Sequence, residues 1–225
     1  MSMRATEPSF PLRGRPDRQY VRPPRPLVFP ASAEMPETGV HLDLRTALYL
    51  TVRYFVGERG AVGSEQFVYW DAEDPRRCLA PDLMVRMGAT PGPFPVWKTW
   101  ERGAPHLAVE IASQSDAPDA PWADKLRRYR AAGIAEVVRF DPLDRDCPLR
   151  LWDRIEDDLV ERVLVGQGAF FCDTLELYWC VRPHPVLGLE LRLAKNAAGE
   201  ELVLSAEEEA LKRVAELEAE LRRRP

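Results

Sequence analysis

Three runs decide how this chain folds: PDLMV at 81–85, HLAVEIASQS at 106–115 and DAPWADKLRRYRAAGIAEVVRFDP at 119–142. The first two are apolar, strand-like runs broken by one acid each, Asp82 and Glu110. A carboxylate inside a sheet is costly unless something compensates it, and a divalent cation does so with hard oxygen ligands. In a strand over 80–87, alternation puts Asp82, Met84 and Arg86 on one face; in a strand over 107–111, it puts Glu110 beside Ala108. If the two strands are neighbours, the acids meet at one edge of a concavity that suits Mg²⁺ or Mn²⁺. The backbone carbonyl of Ile111 could complete the protein's share of the ligands. A helix expected over 121–132, opened by Pro121 and closed by Gly133, brings Lys125 back towards the Glu110 strand. There the ammonium could orient an attacking water or neutralise a pentavalent phosphate. Two acids and a lysine on neighbouring elements are the parts needed to cut a phosphodiester bond. The same residues also admit a plainer reading: Asp82 caps a turn, and Glu110 and Lys125 form a surface ion pair of about 0–1 kcal/mol.

Upstream, Leu44, Ala47, Leu48, Val52 and Phe55 have helical spacing, with Thr38 placed as the cap. Gly57, Gly60 and Gly63 break that pattern. EQFVYW at 65–70 reads as a strand, joined to 80–87 by the DAEDPRR turn as an antiparallel hairpin. Residues 88–105 are a loop dense in Pro, Gly and aromatic side chains. Downstream, 137–140 is a further strand, and 149–152 with 159–164 reads as a hairpin. The result is a mixed β-sheet flanked by helices, of the α/β or α+β kind, over 37–195.

Residues 1–36 hold eight of the 21 prolines and few apolar residues, so a disordered arm with polyproline II character is expected there. The tail over 196–225 reads as helical. In it Ala210, Val214, Leu217 and Leu221 follow a 4-3-4 spacing, which permits a short coiled coil and a homodimer.

Composition excludes more than it selects. No apolar stretch approaches the roughly 18 residues of a membrane span, and the polar N-terminus has no signal-peptide core. Four scattered cysteines without a CxxC pair fit a reduced, cytoplasmic protein. With only three histidines (His41, His106 and His184), a histidine-based metal site is not expected. The net charge of −5 argues against an overall basic coat but leaves room for a local basic groove. Arg127, Arg128 and Arg130 beside Lys125 could supply part of one, or simply form a solvated helix face. Trp97, Trp100 and Trp122 could stack on unpaired bases, though such residues more often pin loops to a core. Glu58 and Glu65 could offer a further carboxylate. Ser113 and Ser115 read as hydrogen-bonding the turn after the strand, and Tyr129 as packing beside Lys125.

As an ensemble, Pro81-Asp82, Glu110 with Ser113 and Ser115, Lys125 with Tyr129, and Gly133 with Glu136, Asp141 and Pro142 resemble the Uma-two family. This is a family of putative restriction endonucleases within the PD-(D/E)xK nuclease superfamily. LGLELRL at 187–193 and the Glu-rich tail extend the similarity to roughly residues 40–221. The resemblance implies a restriction-endonuclease-like fold, a Mg²⁺ or Mn²⁺ ion held by Asp82 and Glu110, with the Ile111 carbonyl of the residue reading beside them, and a catalytic lysine moved onto the following helix as Lys125. It implies a nucleic-acid substrate, with DNA expected ahead of RNA and the choice left open by the sequence, and 5′-phosphate and 3′-hydroxyl products. Two other functions remain in view. One is a nuclease fold that binds nucleic acid or a protein without cutting. The other, a hydrolase of small phosphate esters, is weakened by the lack of a glycine-rich phosphate loop.

Overall fold

A computed structural model describes residues 38–112, 122–163 and 169–223. Thr38 caps α1 (Gly39–Val56) as expected, its Oγ1 accepting from the His41 backbone N–H at 3.3 Å. Leu44, Leu48, Val52 and Val56 recur every fourth residue and form the buried stripe of that helix. Withdrawing each such side chain from water contributes about 1.5–3 kcal/mol. Gly57, at φ 52°, ends the helix in a conformation that favours glycine.

After one 3-10 turn come β1 (Gly60–Gly63), β2 (Val68–Tyr69), β3 (Cys78–Leu79), β4 (Leu83–Met87), β5 (Trp97–Lys98) and the short α2 (Thr99–Arg102). β6 (Leu107–Ile111), α3 (Trp122–Ala131), β7 (Glu136–Phe140), β8 (Leu149–Ile155) and β9 (Asp158–Glu161) follow. The last elements are β10 (Phe170–Cys172), β11 (Leu177–His184), β12 (Gly188–Ala194) and α4 (Ala206–Arg223).

Six strands form the central sheet in the order β1-β4-β6-β7-β8-β9. Within it β6 and β7 run parallel and the other neighbouring pairs antiparallel. A parallel pair needs a crossover connection, and α3 lies in it. On one face, Leu83, Val85, Leu107, Val109, Ile111, Val138 and Phe140 pack against α1 and against Trp179, Leu191 and Leu193 of a second sheet, β10-β11-β12. On the other, Met84, Ala108, Val137 and Trp152 meet Tyr129 of α3 and Val68, Leu79 and Trp97 of a small sheet, β3-β2-β5. The architecture is the expected α+β one, a mixed sheet flanked by helices with a helix at its C-terminal end.

The pairing of the early strands differs from the sequence reading. The DAEDPRR turn does close an antiparallel hairpin, but of β2 with β3 at 78–79 and not of 65–70 with 80–87; β2 also pairs with β5, while β4 lies between β1 and β6. GAVG at 60–63, read as a break, is the edge strand β1. Its glycine serves close approach: a Cβ on Gly60 would lie 2.6 Å from the Arg86 carbonyl oxygen. The arm at 1–36, Ser113, Ser115 and Pro121 lie outside the described residues. Among the described residues, no helix is long and apolar enough to cross a membrane.

Candidate active site

Leu83 faces Val109 and Met84 faces Ala108 in the antiparallel β4–β6 pair. One step further in that register, Asp82 stands opposite Glu110, just before β4 and near the end of β6. Both are buried, at 7% and 5% exposure, among strands that otherwise carry apolar side chains. Each acid has its own set of partners. Asp82 Oδ2 accepts from the Ile111 backbone N–H at 2.7 Å. Glu110 Oε2 accepts from Lys125 Nζ at 2.5 Å, and Glu110 Oε1 accepts from the Tyr129 hydroxyl. Lys125 and Tyr129 are four residues apart, hence on one face of α3, and together they grip both oxygens of one carboxylate. Gly133, at φ 79°, turns the chain out of α3, and the Ile134 N–H donates back to the Tyr129 carbonyl at 3.2 Å.

Burial, opposed by the Lys125 charge and the Tyr129 hydroxyl and aided by the nearby Asp82 charge, leaves the Glu110 carboxyl pushed up to about 7. The Tyr129 hydroxyl is itself raised well above its ordinary range, first by burial and then by Glu110. These shifts follow from two acids sharing a dry edge of the sheet with one lysine. Such perturbed groups concentrate where chemistry is done.

A residue that the sequence reading set aside completes the picture. His41 Nε2 lies 3.0 Å from the Ile111 carbonyl oxygen and 3.3 Å from Asp82 Oδ1. The low histidine count gave no reason to expect an imidazole here. The available signal was positional: Thr38 fixes the start of α1, so His41 occupies its first turn.

The remaining candidates do not converge on these acids. Arg127 pairs with Asp124, Arg128 donates to the Cys78 carbonyl and Arg130 to the Asp157 carbonyl, so all three fix α3 and its surface. Trp97 is buried with its Nε1 donating to the Gly103 carbonyl at 2.8 Å, and Trp122 packs on Trp152 with centroids 5.2 Å apart. Trp100 is exposed. Glu65 pairs with Arg45 at 3.3 Å. Among the described residues, one further acidic group exists: Glu136, Asp153 and Asp173 approach within 4.8 Å of one another. Register places Glu136 on the same face as Leu107, the face opposite Glu110. Arg162 already stands in that group, 2.5 Å from Asp153 and 3.3 Å from Asp173.

A mixed sheet flanked by helices, with two opposed acids at the neighbouring ends of β4 and β6 and a lysine delivered by the crossover helix, defines an α+β protein with a buried acid–lysine cluster. The family model Uma2, described as "Putative restriction endonuclease", matches residues 32–163, and the chain belongs to that family. Among solved structures, the chain is similar to the crystal structure of a putative nuclease belonging to DUF820 from Anabaena variabilis. The two share 13% identity over 76% of this chain and 80% of that one, with a TM-score of 0.42. No curated protein matches.

Proposed function

We propose that this chain is a metal-dependent endonuclease that hydrolyses DNA phosphodiester bonds. The observation that carries the reading is Lys125 held 2.5 Å from Glu110, on the carboxylate that stands opposite Asp82. Asp82, Glu110 and the Ile111 carbonyl would hold Mg²⁺ or Mn²⁺. They fit the ion, because buried carboxylates and a carbonyl are hard donors whose burial is otherwise unfavourable. When bound, the ion supplies a water of lowered pKa and polarises a phosphoryl oxygen. Lys125, with 38% of its side chain exposed, reaches the site from the solvent side, where it orients the incoming water and faces the developing phosphate charge. Tyr129 holds Glu110 in place. The water oxygen bonds to phosphorus as the P–O3′ bond breaks, leaving a 5′-phosphate and a 3′-hydroxyl.

The test is nicking of supercoiled plasmid with Mg²⁺ or Mn²⁺ by wild type, Asp82→Ala and Lys125→Ala. Cleavage is expected to fall at least about 100-fold in both variants. Equal cleavage by all three proteins sinks the assignment. One observation favours a second reading, a nuclease fold that binds nucleic acid or a protein without cutting: Lys125 and Tyr129 already occupy both oxygens of Glu110. DNA retained by folded wild type without cleavage in either metal would decide for it. The reading also includes a homodimer through α4, supported by its exposed Leu211, Val214, Leu217 and Leu221. A reduced, cytoplasmic setting is supported by four free cysteines.

A further inference from the structure

We infer that His41 is a nitrogen ligand of the cation site and that it tips the site towards Mn²⁺ over Mg²⁺. This rests on reading Asp82 and Ile111 as cation ligands. Three atoms from three separate elements meet at this point: His41 Nε2 from the first turn of α1, Asp82 Oδ1 from the start of β4, and the Ile111 carbonyl from the end of β6. Nε2 lies 3.0 Å from the carbonyl oxygen and 3.3 Å from the carboxylate oxygen. An octahedral ion with ligands about 2.0–2.1 Å away sets neighbouring donors about 2.9 Å apart. Both separations are near such an edge, but they are also hydrogen-bond distances, and because a carbonyl only accepts, His41 Nε2 carries the hydrogen here. A cation at this point would replace that proton and find the imidazole nitrogen already beside two oxygen donors.

The surroundings hold these donors in position. The Asp82 and His41 side chains are 10% and 12% exposed, and the other oxygen of Asp82 is fixed by the Ile111 N–H. The His41 backbone is fixed by the Thr38 cap. Glu110 is gripped separately by Lys125 and Tyr129. The donors around the ion would then be one imidazole nitrogen together with the oxygens of Asp82, Ile111 and Glu110. Mg²⁺ favours all-oxygen surroundings, whereas an imidazole donor suits transition metals, whose affinity rises from Mn²⁺ through Co²⁺.

The experiment uses the full chain with Mn²⁺ or Mg²⁺ alone, without DNA. Calorimetry gives the two affinities, and pulsed electron paramagnetic resonance of bound Mn²⁺ reads any directly bonded imidazole nitrogen. Wild type is expected to show the nitrogen coupling and to bind Mn²⁺ at least about tenfold more tightly than Mg²⁺. His41→Ala should lose the coupling and at least about tenfold in Mn²⁺ affinity, with Mg²⁺ binding little changed. His41→Glu, which returns an oxygen donor, should narrow the preference. The spectrum of wild type needs no substitution, so a misfolded variant does not blur the result. Mn²⁺ bound in an Asp82-dependent way but without nitrogen coupling overturns the role of His41 and leaves the nuclease reading standing. Folded wild type that binds neither metal overturns both.

Discussion

At the scale of single residues, the Glu110 clamp is the most demanding feature. A fully buried tyrosine hydroxyl and a half-exposed lysine each hold one oxygen of a carboxylate that burial has pushed up to about 7. Removing the hydroxyl leaves Glu110 Oε1 without that donor in a place water does not reach. Tyr129→Phe is therefore expected to cost about 1–3 kcal/mol, the price of an unsatisfied buried acceptor, read as a lower urea midpoint at constant slope. An unchanged midpoint would mean that the contact contributes nothing to the fold. Asp82 and Glu110 stand out in the sequence because a charge inside an apolar run is visible without any knowledge of pairing. Lys125, by contrast, lies in a helix full of charge and is singled out only by its place after the Glu110 strand and by the family resemblance. His41 was not legible. Its partners lie about forty and seventy positions further along the chain, and no local pattern connects them.

At the scale of elements, legibility followed locality. α1, α3 and the β8–β9 hairpin have their signals in adjacent residues: a cap, a periodic apolar stripe, a closing glycine. β1 and the small β3-β2-β5 sheet are set by tertiary contacts, and two-residue strands carry too little alternation to be read. The join between the central sheet and β10-β11-β12 is likewise invisible in the sequence, although Glu136 anchors it. That carboxylate accepts from the Thr174 N–H at 3.2 Å and from the Cys172 thiol at 3.4 Å, and its other oxygen lies 3.8 Å from Arg162. Burial nevertheless dominates and raises its pKa above the ordinary carboxylate value. The folded state then holds this proton more tightly than the unfolded one. The stability it contributes is fully present below about pH 4.3 and is lost as pH rises through the raised value. Glu136→Gln removes that dependence. The stability of the variant relative to wild type should therefore climb across that window in urea melts at successive pH values. A difference that stays constant with pH would contradict the assignment.

At the scale of the whole molecule, α4 is the element the body does least to cover. Its start is secured by a reciprocal cap, with the Ser205 N–H on Glu208 Oε2 at 2.8 Å and the Glu208 N–H on Ser205 Oγ at 3.2 Å. Arg192 and the Tyr54 hydroxyl add contacts to Glu208 and Glu209. Beyond that turn the helix buries nothing, and Leu211, Val214, Leu217 and Leu221 are 42–64% exposed. Its charges are polarised, with Glu207, Glu208 and Glu209 in the first turn and Arg222 and Arg223 in the last. Two copies laid antiparallel set each acidic end against a basic one, whereas a parallel pair sets like against like. About two heptads make a weak seam, so association should grow with protein concentration in sedimentation experiments. Val214→Glu with Leu217→Glu should abolish it while the fold persists. Arg222→Glu with Arg223→Glu should weaken it in the antiparallel arrangement, because both complementary ends are lost. In a parallel arrangement the same change replaces one repulsion with another and leaves the affinity nearly unaltered. A chain that stays monomeric at every concentration would remove the helix from consideration as an interface.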